Sequence, residues 1–111
     1  MDKPFVHLHT HSHYSLLDGL TKISPLVNKA AEYKMPALAL TDHGSMYGII
    51  DFYKAAHEAD IKPIIGMEGY LARNRMQDKR PKIDDRPYHL TILAKNLTGY
   101  HNLMKLTTRS H

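Results

Sequence analysis

Short apolar runs alternate with stretches of helical spacing along most of this chain, and that alternation restricts the fold more than any other feature. Residues 36–40 form an apolar run of the kind buried in parallel sheets, and it breaks into the polar loop 41–45. Before it, Ser24 and Pro25 read as an N-cap with proline at the first helical position. Ile23, Leu26, Val27 and Ala30 keep the spacing of a buried stripe, which predicts a helix over 25–34. After it, Ile49, Phe52, Tyr53 and Ala56 repeat that spacing up to about Asp60, and residues 62–66 open another apolar strand. Residues 3–8 read as a first short strand leading into a polar loop over 9–19. The order β-α-β-α-β implies parallel strands joined by right-handed crossovers, hence an α/β sheet or barrel. Residues 73–87 are polar and contain two prolines, so they read as a surface loop; 88–94 is a further strand, and Thr98 caps a last helix that places Tyr100, Leu103 and Met104 on one face.

An α/β barrel usually takes roughly 200 residues or more. At 111 residues the chain is expected to be about the first half of one, with the unit 1–111 incomplete at its C-terminal side. There is no cysteine, so neither a disulfide framework nor a thiolate metal site can be built from this segment. The start MDKPFV lacks the apolar core of a signal peptide, and no apolar run is long enough to span a bilayer. A cytoplasmic protein without membrane contact is expected. The formal charge of +4 is concentrated in the last third. There Arg73, Arg75, Lys79, Arg80, Lys82 and Arg86 crowd one loop and are candidates for contact with DNA phosphates; Asp78, Asp84 and Asp85 soften the field.

Histidine is the compositional oddity. Four of the nine, His7, His9, His11 and His13, alternate within the first thirteen residues. Residues two apart in an extended backbone project to the same side, so an H-x-H pair can offer two imidazoles to one metal ion. Asp42 and His43 follow the second predicted strand and Glu68 ends the third, so imidazoles and carboxylates collect at strand carboxyl ends, the rim where α/β folds place active sites. A nitrogen and oxygen ligand set without thiolate suits zinc, iron(II) or manganese, and a multinuclear hydrolytic site is expected. His7 is read as supporting a ligand or as a satisfied strand histidine, and His13 as solvated. Asp42 either orients a ligand through a hydrogen bond or caps the next helix. His57, His101 and His111 read as surface residues.

Phe5-Val6-His7-Leu8-His9-Thr10-His11-Ser12, Tyr14-Ser15-Leu16-Leu17-Asp18-Gly19, Thr41-Asp42-His43-Gly44, Ile61-Lys62-Pro63-Ile64-Ile65-Gly66-Met67-Glu68 and His89-Leu90-Thr91-Ile92-Leu93-Ala94-Lys95-Asn96 resemble the polymerase and histidinol phosphatase (PHP) domain of bacterial DNA polymerase III alpha subunits. The resemblance covers essentially the whole chain, in order. It implies a distorted seven-stranded β/α barrel, TIM-like, with up to three divalent ions held by nine side chains. Carried over by motif, the ligands are His9, His11, Asp18, His43, Glu68 and His89; the other three have no counterpart before residue 111. The resemblance further implies a role in DNA replication, with DNA and the other polymerase III holoenzyme subunits as partners, a proofreading exonuclease among them. It also implies a bacterial cytoplasmic location and a metal-dependent phosphoesterase site of the 3′ to 5′ exonuclease type. Two alternatives stand beside it: a catalytically silent PHP scaffold that stabilises the polymerase and docks a proofreading subunit, and a free-standing PHP-family phosphatase. His89 stands at the start of its predicted strand, the wrong end for a parallel barrel. Antiparallel pairing of 63–72 with 88–94 would bring it beside Glu68, near His9 and His11.

Overall fold

Ile23, Val27 and Ala30 are buried along one face of α1 (Ile23–Glu32). That helix begins two residues ahead of the expected start, so Ser24 is not its cap. Lys22 holds the N-cap position in an extended conformation without a side-chain cap. Pro25 therefore stands in the first turn, where N–H groups have no intrahelical acceptor and proline costs nothing. The far end closes by a Schellman arrangement: Lys34 turns left-handed (φ 56°), its N–H reaches the Ala31 carbonyl, and Met35 N–H reaches Ala30 O at 3.0 Å. Helix α2 (Ile49–Glu58) ends the same way, with Asp60 at φ 56° and Ile61 N–H on Ala56 O at 2.8 Å. Both closures turn the chain directly into a strand.

Those strands are β1 (Ala37–Leu40), buried throughout, and β2 (Lys62–Leu71), paired in parallel from Ala37 with Lys62 to Leu40 with Ile65. Strand β3 (Tyr88–Leu93) is antiparallel to β2, from Gly66 with Leu93 to Leu71 with Tyr88. The three form one sheet in the order β1-β2-β3. The antiparallel pairing expected from the position of His89 is thus present. The core lies between the helices and the sheet, where Val27, Leu38, Leu40, Phe52 and Ala56 are almost wholly excluded from water. Helix α3 (Leu97–Ser110) is capped by Asn96, whose side chain accepts from Gly99 N at 3.0 Å, and not by Thr98. It buries Leu103 and passes over β2, where Thr107 Oγ1 meets Met67 Sδ at 3.3 Å. Tyr100 packs against the core, whereas Met104 stays exposed.

This computed structural model describes residues 3–111; Met1 and Asp2, which open the expected 1–111 unit, lie outside the described residues. The expected strand over 3–8 does not form. The segment runs beside β1, but Ala39 N–H bonds to His7 O (3.0 Å) and Thr41 N–H to Thr10 O (2.8 Å). Donors two residues apart thus meet acceptors three apart, and the extra residue breaks the ladder. Loop 73–87 contains no helix or strand and is pinned by its own ion pairs, Arg75 with Asp78 (2.9 Å) and Arg80 with Asp84 (2.8 Å).

Candidate metal centre

Glu68 is the hub. Its side chain is buried near the middle of β2, and four imidazoles converge on it. His9 Nε2 and His89 Nδ1 each lie 3.2 Å from Oε1; His11 Nε2 lies 2.6 Å and His43 Nδ1 2.9 Å from Oε2. The other nitrogen of His43 contacts Asp18 Oδ2, and His11 Nδ1 is 3.8 Å from the same oxygen. All six residues carried over by motif therefore meet in one place, as three overlapping triads: His9, His11 and Glu68; His11, Asp18 and His43; His43, Glu68 and His89.

The backbone explains the meeting. Past Leu40 the chain keeps the register of β1: Glu68 N–H bonds to Asp42 O and Gly44 N–H to Glu68 O, both at 2.9 Å, which sets His43 beside Glu68. On the other side of β2, Tyr70 stands opposite His89, on the same face as Glu68 and Thr91. At the amino end, the extra residue between His7 and Thr10 shifts the parity of the extended segment. His7 lies edge-on to the Phe5 ring at 4.7 Å and belongs to none of the triads, while His9 and His11 do.

Asp42 does not cap α2, which starts only at Ile49, and among the described residues no hydrogen bond joins its carboxyl to a histidine side chain. Its carboxyl oxygens instead accept from Ser12 N (2.6 Å), Ser12 Oγ (2.8 Å) and Ser15 Oγ (2.7 Å), and Ser15 Oγ accepts in turn from His43 N at 3.0 Å. All three side chains are buried. Asp42 thus fastens the loop that carries Asp18 to the strand end that carries His43. Ser12 and Ser15, legible in sequence only as turn formers, are essential parts of this fastening. Tyr70 was also missed. Its ring is parallel to His43 within 8°, at a centroid distance of 6.4 Å, and edge-on to His89 at 5.2 Å. The one sequence signal for it is the two-residue step from Glu68 along a strand.

Burial by itself would raise the Glu68 carboxyl. The imidazoles of His89, His9, His43 and His11 around it outweigh that and hold it below its ordinary value. His11 Nε2, His43 Nδ1 and Glu68 Oε2 are buried, and none has a hydrogen bond of acceptable geometry although they stand so close together. Buried polar atoms that crowd together without hydrogen bonds between them suit a shared cation. The donor set, imidazole nitrogens and carboxylate oxygens without sulfur, fits zinc, manganese or iron(II).

The remaining residues stand apart. His13 lies against Tyr14 at the surface, and His57 and His101 are exposed on α2 and α3. His111 is exposed as expected, and its Nε2 also meets Gly44 O at 3.0 Å. In loop 73–87, Arg75 and Arg80 are paired to aspartates, and Arg80 with Asn74 pulls the Asp84 carboxyl far below its ordinary range. Arg73 lies over Tyr88, 4.7 Å from the ring centroid; Tyr88 pairs with Leu71 on the face of the ribbon opposite Tyr70 and His89. Lys79, Lys82 and Arg86 are exposed.

A histidine and carboxylate cluster, free of thiolate and set at the carboxyl end of β1 and along β2, defines the class: an α/β domain whose side chains could hold divalent metal. The profile of the PHP domain matches residues 7–111, and the chain belongs to that family. Among curated proteins it is 52% identical over 108 residues to the DNA polymerase III subunit alpha of Borreliella burgdorferi, covering 96% of this chain and 9% of that protein. It is 47% identical to the corresponding subunit of Thermus aquaticus (96% and 9%) and 45% identical to that of Aquifex aeolicus (100% and 10%). The chain thus spans about a tenth of the length of these relatives. Among solved structures, an amidohydrolase from Chromobacterium violaceum superposes with a TM-score of 0.64 at 24% identity, over 90% of this chain and 32% of the other. A protein from Bifidobacterium adolescentis assigned as a metal-dependent phosphoesterase gives 0.57 at 18%, over 90% and 31%. Both share the α/β fold. Among the described residues, no helix is long and apolar enough to cross a membrane.

Proposed function

We propose that His9, His11, Asp18, His43, Glu68 and His89 hold divalent cations, and that in the intact protein this centre hydrolyses phosphodiester bonds at DNA 3′ ends as part of a bacterial replicative polymerase. The observation that carries the proposal is the crowding of buried polar atoms without hydrogen bonds: His11 Nε2 and His43 Nδ1 stand 2.6 and 2.9 Å from Glu68 Oε2. The polymerase context is supported by relatives at 45–52% identity that are DNA polymerase III alpha subunits. On this reading residues 1–111 are the first part of a larger, seven-stranded barrel that supplies the remaining ligands. The protein works in the bacterial cytoplasm with DNA and the other holoenzyme subunits, a proofreading exonuclease among them, and Lys79, Lys82 and Arg86 are the loop cations most available to phosphates.

These six side chains would hold cations able to supply Lewis-acid polarisation of a phosphoryl oxygen and stabilisation of developing negative charge. The chain's own residues divide the work. Buried Glu68 with half-buried His11 and His43 forms the floor; His9, His89 and Asp18, more exposed, form the rim that a substrate meets. The test is metal analysis of the intact protein after dialysis, together with release of 3′ nucleotides from single-stranded DNA. Retained divalent metal and chelator-sensitive release are expected. A metal-free protein that binds neither zinc nor manganese would overturn the proposal.

A further inference from the structure

Tyr70 packs against the cluster without offering it a ligand nitrogen or carboxylate. It stands two residues beyond Glu68 on β2 and on the same face, with its ring parallel to His43 and perpendicular to His89. The residue is 53% exposed, and its hydroxyl has no hydrogen-bond partner among the described residues. The backbone also makes room for it. Gly44 sits at φ 57°, and a Cβ there would come within 3.0 Å of Tyr70 Cε2, so the absence of a side chain at residue 44 allows the ring to lie over the His43 loop.

We infer that Tyr70 is a substrate-positioning residue: its exposed ring stacks on the base of the terminal nucleotide whose phosphodiester lies at the metal cluster. This rests on the phosphodiester reading above. Two residues of strand rise separate Tyr70 from Glu68, about 6–7 Å. Stacking on an aromatic platform is indifferent to base identity, because every base has a π face. The site would therefore hold any 3′-terminal nucleotide and lose grip on an end that has no base.

The experiment uses the intact protein loaded with manganese. The probe is a single-stranded decanucleotide ending in 2-aminopurine, with the terminal ester oxygen replaced by methylene so that it cannot be cleaved. A second probe ends in an abasic sugar. The site's share of binding is the part removed by His9→Ala with His11→Ala, and its absence in the unaltered protein refutes the phosphodiester reading and this inference with it. Where that share exists, Tyr70→Leu is expected to weaken it about tenfold for the base-bearing end and to relieve the 2-aminopurine quenching. The abasic end should bind Tyr70→Leu and the unaltered protein alike, and Tyr70→Phe should keep both binding and quenching. Equal losses on both ends, no loss at all, or a Phe variant as weak as the Leu variant would overturn the inference. So would loss of bound manganese in Tyr70→Leu, because Tyr70 would then support His43 and not the substrate.

Discussion

Replacing Asp42 by alanine should weaken metal binding although Asp42 is no ligand. Its carboxyl accepts three hydrogen bonds, at 2.6, 2.8 and 2.7 Å, from Ser12 N, Ser12 Oγ and Ser15 Oγ, all buried. Hydrogen bonds to a charged group contribute about 1.5–3 kcal/mol each, and they do not add fully when they share one acceptor group. The two hydroxyls can rotate toward other acceptors, but the Ser12 N–H cannot, and a stranded buried donor costs about 1–3 kcal/mol. A net loss of about 3–5 kcal/mol in the attachment of loop 12–19 follows. The loop is then loosened in the metal-free protein and must be ordered again on binding, so only part of that loss reaches the affinity. An effect of about 10–100-fold is expected, as for other residues that hold ligands in place. Asp42→Asn keeps one acceptor oxygen and should lose less than about tenfold. The assay is competition for manganese against a chelator of known affinity, with hydrogen exchange of residues 12–19 measured in parallel. Unchanged affinity with accelerated exchange would show that the loop does not deliver the ligands, and unchanged exchange would show that the three bonds contribute nothing.

His9→Ala together with His11→Ala should abolish cation-dependent 3′ digestion by the intact protein while primer extension remains measurable; undiminished digestion would refute the ligand assignment. Gly44→Ala places a side chain at φ 57° against the Tyr70 ring and should cost about 1–2 kcal/mol, read as a lower thermal midpoint. Hydrogen bonds from Arg80 lower the Asp84 carboxyl, so its contribution to ordering loop 73–87 is complete above the ordinary carboxylate value and is lost only as pH falls well below it. Exchange of the Arg80 amide, which donates to Asp84 Oδ2 at 2.9 Å, should accordingly be as protected at pH 4.5 as at pH 7, after correction for intrinsic rates, and lose protection in Asp84→Ala. The 111-residue piece by itself should aggregate, because Leu16, Leu17, Leu20 and Leu97 are exposed along with the free edge of β3; a soluble monomer with a cooperative, high-temperature melt would contradict this.

The helices and the two parallel strands were legible because Ile23, Val27 and Ala30, or Phe52 and Ala56, carry a period that packing enforces. The six converging side chains were legible from motif resemblance, and the hairpin from a conflict: His89 at the start of a strand could reach Glu68 only if the chain reversed. Caps were not legible, since Ser24 and Thr98 are good candidates that lost to Lys22 and Asn96, two residues from each. A cap depends on where the chain enters the turn, which tertiary packing sets. The first strand failed for a related reason. Its composition suits extended backbone, but ladder register depends on residue counts in two segments at once, and a single extra residue undoes it. The bonds of Asp42 were out of reach because they join residues about thirty positions apart whose types also suit turns and caps.

The convergence on Glu68 also has a topological meaning. The stretch from Lys3 to Thr10 has no ladder of its own and shares only a few backbone bonds with β1, yet His9 and His11 reach a residue on the order of sixty positions away, whereas His89 closes a loop of about twenty. Loop-closure entropy grows only with the logarithm of length, so the longer closure costs about 1 kcal/mol more than the shorter one. A cation shared by these groups would cross-link the chain's beginning to the middle of its sheet, as a disulfide does in proteins that contain cysteine, and its binding energy would add directly to the stability of the fold. In a chain without a single thiol, the imidazoles of an otherwise loosely held segment would then act as a removable staple, and depletion of metal would release the amino-terminal segment first.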